Sequence, residues 1–80
     1  MDTLTAVKER LLILCDRYGF SLNQLAVRAN VPPSTLKNIL YGKSLNPGIV
    51  TLKQLCDGLG ISLAEFFDCA DFRQIEDEIE

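Results

Sequence analysis

GFSLNQLAVRANVPPSTLKNILYGK, residues 19–43, is the stretch that decides the fold. Gly19 suits the left-handed residue past a helix end. Ser21 followed three residues later by Gln24 is a capping box, with Phe20 and Leu25 placed as a hydrophobic staple. Leu25, Ala26 and Ala29 then recur at helical spacing on one face. Asn30 follows, and asparagine is the side chain best able to take a positive φ outside glycine. Pro32-Pro33 is incompatible with a helix interior or a central strand, yet proline fits a helix's first turn. A further helix is therefore predicted from Pro33 to just before Gly42, with Leu36, Ile39 and Leu40 turned inward. Two short helices around a tight turn is the reading.

The same stretch lies in an acid-free segment. No carboxylate side chain occurs between Asp16 and Asp57, whereas Arg17, Arg28, Lys37, Lys43 and Lys53 do. The chain has 80 residues and a net charge of −3. Residues 1–56 hold seven basic and three acidic side chains, hence +4, and residues 57–80 hold one basic and eight acidic ones, hence −7. Such asymmetry points to a polyanionic partner for the basic half or to an acidic tail.

Outward from this segment the chain reads as helices throughout. Leu4, Val7, Leu11, Leu14, Cys15 and Tyr18 outline one apolar face of a long first helix ending at Gly19. Asn46-Pro47-Gly48 marks a loop. A fourth helix follows, with Ile49 or Val50, then Leu52, Leu55, Cys56 and Leu59 inward, and with Gly58 and Gly60 closing it. Ser62 and Glu65 form a second capping box, stapled by Ile61 and Phe66, that opens a short fifth helix. Phe72, Ile75 and Ile79 among acids allow one more short helix or a frayed end. The expected organisation is an all-α, five-helix domain over residues 1–69 and an acidic extension over 70–80. One domain is what a chain this short supports.

A pair of helices of this kind is a helix-turn-helix, in which the second helix enters the DNA major groove while the first crosses the backbone. Ser34, Thr35, Lys37 and Asn38 are the polar side chains left for the reading face, with the ring of Pro33 offering a contact to a thymine methyl. Asparagine pairs bidentately with adenine, and a threonine methyl matches that of thymine. Lys43, Arg28 and again Lys37 suit phosphates, which position without specifying. Ser21 and Asn23, at the N–H-rich start of the second helix, and Tyr41 complete the phosphate set.

Here the chain resembles the Cro/cI-type, or Xre-type, helix-turn-helix regulators. The likeness runs through Gly19-Phe20-Ser21, Leu25-Ala26, Asn30-Val31, Ser34-Thr35-Leu36, Ile39, Gly42-Lys43, Asn46-Pro47, Thr51-Leu52, Leu55-Cys56, Leu59-Gly60-Ile61 and Leu63-x-x-Phe66-Phe67, about residues 5–68. The resemblance implies a compact lambda-repressor-like domain that binds double-stranded DNA without a cofactor, usually as a homodimer and usually as a repressor. The chain departs from the family in four places. Leu22 stands where a phosphate-touching glutamine is frequent, Asn30 where glycine is frequent, and Pro32-Pro33 where polar base readers are frequent. Cys15 and Leu40 take the positions of an arginine–glutamate pair. Losing both members leaves no unpaired buried charge, a defect of ~3–5 kcal/mol, and predicts a contact between Cys15 and Leu40.

Phe66, Phe67, Phe72, Ile75 and Ile79 are candidates for a dimer seam, with core packing as the plain alternative. The absence of any histidine, of a CxxC among Cys15, Cys56 and Cys69, and of a glycine-rich phosphate loop gives no basis for a metal centre, a cofactor, a small-molecule ligand or catalysis. Nothing in the sequence resembles a membrane span or a secretory leader, so reduced cysteines in a cytoplasmic protein are expected. A second function on the same fold, an antitoxin-like or adaptor module that binds protein, is motivated by Leu22, Pro32-Pro33 and the net acidity. If the chain's own acidic tail neutralised the reading face, this second function would be favoured.

Overall fold

In the computed structural model, residues 1–41 and 46–79 are described. Six helices occur among them: α1 (Thr3–Tyr18), α2 (Leu22–Ala29), α3 (Pro33–Leu40), α4 (Ile49–Leu59), α5 (Leu63–Phe67) and α6 (Ala70–Arg73). The all-α expectation and the helix-turn-helix at α2 and α3 hold, and the short C-terminal helix is present as α6.

Three helix ends share one device. Gly19, Asn30 and Gly60 sit at φ of 74°, 55° and 78°, and these are the positive-φ residues among those described. In each, two successive N–H groups return to orphan carbonyls of the helix just ended, as Asn30 to Val27 and Val31 to Ala26 at 3.2 and 3.0 Å. The residue after each left-handed position is apolar (Phe20, Val31, Ile61). It folds onto the same core that the helix faces.

Helix starts follow their side chains. Asp2 Oδ1 accepts the Thr5 N–H at 2.8 Å. The Ser21 box is complete, since Ser21 Oγ accepts from Gln24 N and Gln24 Oε1 accepts from Ser21 N. Ser62 Oγ accepts the Glu65 N–H at 3.0 Å, the forward half of the second box. α3 has Pro32 as its cap and Pro33 inside its first turn.

The core gathers Val7, Leu11, Leu14 and Cys15 of α1, Leu25, Ala26 and Ala29 of α2, and Leu36, Ile39 and Leu40 of α3. Leu52, Leu55, Cys56 and Leu59 of α4 and Phe66 of α5 complete it with Val31 and Ile61. Cys15 and Leu40 are both buried in this one cluster. Tyr18 departs from the expected face and is 43% exposed.

Gly58 is a correction. It lies within α4 rather than closing it. A Cβ there would come within 2.9 Å of the Ala29 Cβ and 3.0 Å of the Ala29 N, so glycine is required by the close crossing of α2 and α4. Ala29 is small for the same reason.

Residues 70–79 return to the start of the chain. Phe72 packs on Phe66 and Phe67 with ring centroids 6.0 and 4.8 Å away. Beyond α6, the Glu76 N–H donates to Met1 O at 3.1 Å and Glu78 Oε1 accepts the Thr3 N–H at 3.3 Å. The tail carboxylates thus meet the N–H-rich start of α1, where a negative charge is favoured.

Candidate nucleic-acid interface

α3 divides cleanly. Leu36, Ile39 and Leu40 are buried, whereas Pro33, Ser34, Lys37 and Asn38 are exposed and Thr35 is half-buried. The four polar residues expected to read bases are therefore brought onto one short helix, with Pro33 at its leading edge. Lys37 has no ion-pair partner among the described residues. Tyr41, which caps α3 through its N–H to Lys37 O at 2.8 Å, is 70% exposed beside this surface.

A hollow continues the surface past the end of α3. Thr35 and Asn38 line it from one side, and Asn46, Gly48 and Thr51 from the loop and first turn of α4 line it from the other. The first N–H groups of α4 lack a side-chain cap. Sequence reasoning took Asn46 and Gly48 as loop markers only. Their approach to α3 depends on a tertiary contact for which a local pattern carries no signal. Asn46 and Pro47 also line a second hollow with Asp2, Thr3 and Glu78, so these two residues border both.

The residues expected to touch phosphate separate into three groups. Asn23 is exposed on α2, and Ser21 caps that helix with its side chain committed to Gln24 N. Lys43 lies outside the described residues. Arg28 is exposed; its Nε donates to Gly58 O at 2.8 Å, and its guanidinium carbon stands 4.5 Å from the centroid of the Phe20 ring. Leu22, in place of a polar residue, packs partly buried against the core. Among the other cations of the acid-free segment, Lys53 pairs with Asp57 one helical turn on.

The seam candidates also divide. Phe66 is fully buried, its aromatic ring filling the core beneath α5, and so is not a surface residue. Phe67 and Phe72 are half-buried and make edge contacts in the same aromatic cluster. Ile75 is half-buried and Ile79 is 91% exposed. The core position of Phe66 is underlined by Arg10, which sequence reasoning missed. Its Nε and Nη2 donate to Phe66 O and Glu65 O at 2.7 and 2.8 Å, binding α1 to the end of α5.

Two short helices joined through a left-handed asparagine, the second presenting a polar, acid-free face, define a helix-turn-helix unit. The comparisons agree. The helix-turn-helix family model (HTH_3) matches residues 11–66. Over 52 residues the chain is 42% identical to the HTH-type transcriptional regulator SlrR of Bacillus subtilis (strain 168), an alignment covering 65% of this chain and 34% of that protein. The match thus spans about a third of that relative's length. The crystal structure of prophage Lp1 protein 11 superposes with a TM-score of 0.81 at 32% identity, covering 94% of this chain and all of that one. The chain belongs to the Cro/cI-type, or Xre-type, helix-turn-helix family of DNA-binding regulators. No described helix is long and apolar enough to cross a membrane.

Proposed function

We propose that this chain is a sequence-specific, double-stranded-DNA-binding transcriptional repressor that acts as a homodimer and places α3 in the major groove. The observation that carries the reading is the face of α3: Pro33, Ser34, Thr35, Lys37 and Asn38 stand together with no carboxylate on the helix. Asn38 and Thr35 are assigned to base edges, Ser34 and Lys37 to bases or the flanking backbone, and Pro33 to a thymine methyl. The Ser21-capped start of α2 with Asn23, together with Tyr41 and Lys43, is assigned to phosphates. With Phe66 in the core, a two-fold contact falls to Ile75 and Ile79 and the exposed rims of Phe67 and Phe72.

The tail supports this reading over a protein-binding adaptor, because Glu76 and Glu78 are bound at the start of α1 rather than on α3. The test is selection of duplexes from a random pool, followed by titration of the selected site against salt. Affinity should fall steeply as salt rises, by ~0.9 log units per log unit of salt for each phosphate engaged. Asn38→Ala should relax base preference by ~1–3 kcal/mol at one position. Failure to enrich any duplex, or a salt-independent affinity, would refute the assignment.

A further inference from the structure

We infer that Arg28 is a positioning residue for the reading helix: it locks α2 onto α4 and thereby sets where α3 stands, without itself holding a phosphate. The inference rests on the reading that α3 enters DNA. α3 follows α2 through a turn of three residues, Asn30 to Pro32, so the placement of α2 governs that of α3. The most extensive helix–helix contact of the fold is that of α2 with α4.

Arg28 joins three points of that contact. Its Nε–H meets Gly58 O, a carbonyl of the last turn of α4 with no residue ahead in the helix to bond it. The neighbouring carbonyls of Cys56 and Asp57 are taken by Ile61 N and Gly60 N. α4 carries no basic residue in its own last turn, so the guanidinium also supplies the positive charge which a helix C-terminus favours. Its face lies over Phe20, the residue just before the Ser21 cap. One side chain therefore ties together the entry to α2, the last turn of α2 and the end of α4. This happens beside the Gly58–Ala29 crossing, where a Cβ at 58 would meet the Ala29 backbone at 3.0 Å.

This geometry needs a planar group that donates along Nε while its face covers a ring, which lysine does not offer. A phosphate contact, in contrast, needs mainly a positive charge. The two roles are separable with Arg28→Lys, Arg28→Met and Phe20→Leu. Each variant is measured on the selected duplex and on a scrambled one across a salt series, with helicity and Tm recorded alongside.

Positioning predicts that Arg28→Met and Arg28→Lys both lower the ratio of specific to non-specific affinity by about 10-fold, the size of one lost base contact. Their salt slopes should match that of the wild type. Phe20→Leu should move the ratio in the same direction by less. The inference is overturned if lysine restores wild-type binding while methionine flattens the salt slope by ~0.9, the signature of one phosphate. It is equally overturned if the variants lower Tm while the affinity ratio stays within about twofold of wild type, which marks a purely structural residue. Should Arg28→Met fail to fold, Arg28→Lys and Phe20→Leu decide by the same two readouts. If the wild type itself binds no duplex, the DNA reading falls and this inference with it, an outcome distinct from failure of the inference alone.

Discussion

Gly58→Ala isolates the close crossing of α2 and α4. Within a helix, alanine is favoured over glycine by about 0.8–1.0 kcal/mol, so a free surface position would gain stability. At position 58 the new methyl would stand 2.9 Å from the Ala29 Cβ, 3.0 Å from its N and 3.1 Å from its Cα. Two of those three atoms are backbone, so relief requires moving a helix rather than a side chain. Overpacking of this kind costs about 1–3 kcal/mol, and the backbone contacts place this site at the upper end. Subtracting the propensity gain leaves a loss of about 2 kcal/mol, which in a domain of this size lowers Tm by about 8–16 °C. Circular dichroism at a helical band against temperature reads it directly. The double variant Ala29→Gly/Gly58→Ala should lose less than the sum of the two single changes, by a coupling of about 1 kcal/mol. A Gly58→Ala variant as stable as the wild type, or more so, would refute the claim that glycine is there for space.

Three further outcomes are expected. Asn30→Ala should lose about 1 kcal/mol in urea unfolding because its φ of 55° penalises an ordinary side chain, whereas Asn30→Gly should be near neutral; equal effects would contradict this. Hydrogen bonds from the Thr5 hydroxyl, then the Thr5 N–H, hold the Asp2 carboxyl below the usual carboxylate range. A depressed folded value gives stability that is present above the unfolded pKa and lost as pH falls through the folded one. The advantage of wild type over Asp2→Ala should therefore be constant at neutral pH and vanish in acid; a pH-independent difference would refute it. Burial pushes the Cys15 thiol up, and burial followed by the Asp57 charge pushes up that of Cys56, while Cys69 is half-buried. In the native protein a thiol reagent should modify Cys69 first, with Cys15 and Cys56 reacting only on unfolding, and rapid reaction of all three would contradict the core assignment.

The elements legible in the sequence were those whose cause lies within a few residues. The Ser21–Gln24 box, the left-handed Asn30 and the proline-led start of α3 each involve neighbours at most three positions apart, and each is found in place. The positions misread depend on what arrives from elsewhere. Gly58 has the composition of a helix stop, but the arrival of Ala29 makes it a spacer. Phe66 looked free for a partner because the closing of α5 over the core is a tertiary event. The bond from Arg28 to Gly58 O spans 30 residues of sequence and likewise carries no local signal. The polar face of α3 was legible because helical periodicity separates Leu36, Ile39 and Leu40 from Ser34, Lys37 and Asn38.

Arg10 and Arg28 share one trait: each fastens helices by donating to main-chain oxygens, those of Glu65 and Phe66 and that of Gly58. A carboxylate partner can be exchanged for another acid, or swapped in sign together with its cation, so the two positions drift in concert over generations. A carbonyl is supplied by whatever residue occupies its position. Substitution at 65 or 66 therefore leaves the acceptor intact, and no compensating change at position 10 is called for. At 58, the required absence of a side chain comes from Ala29 rather than from the arginine. These two fastenings would leave no paired-substitution trace among descendants of this chain, although losing either arginine would strand an acceptor at the end of a helix.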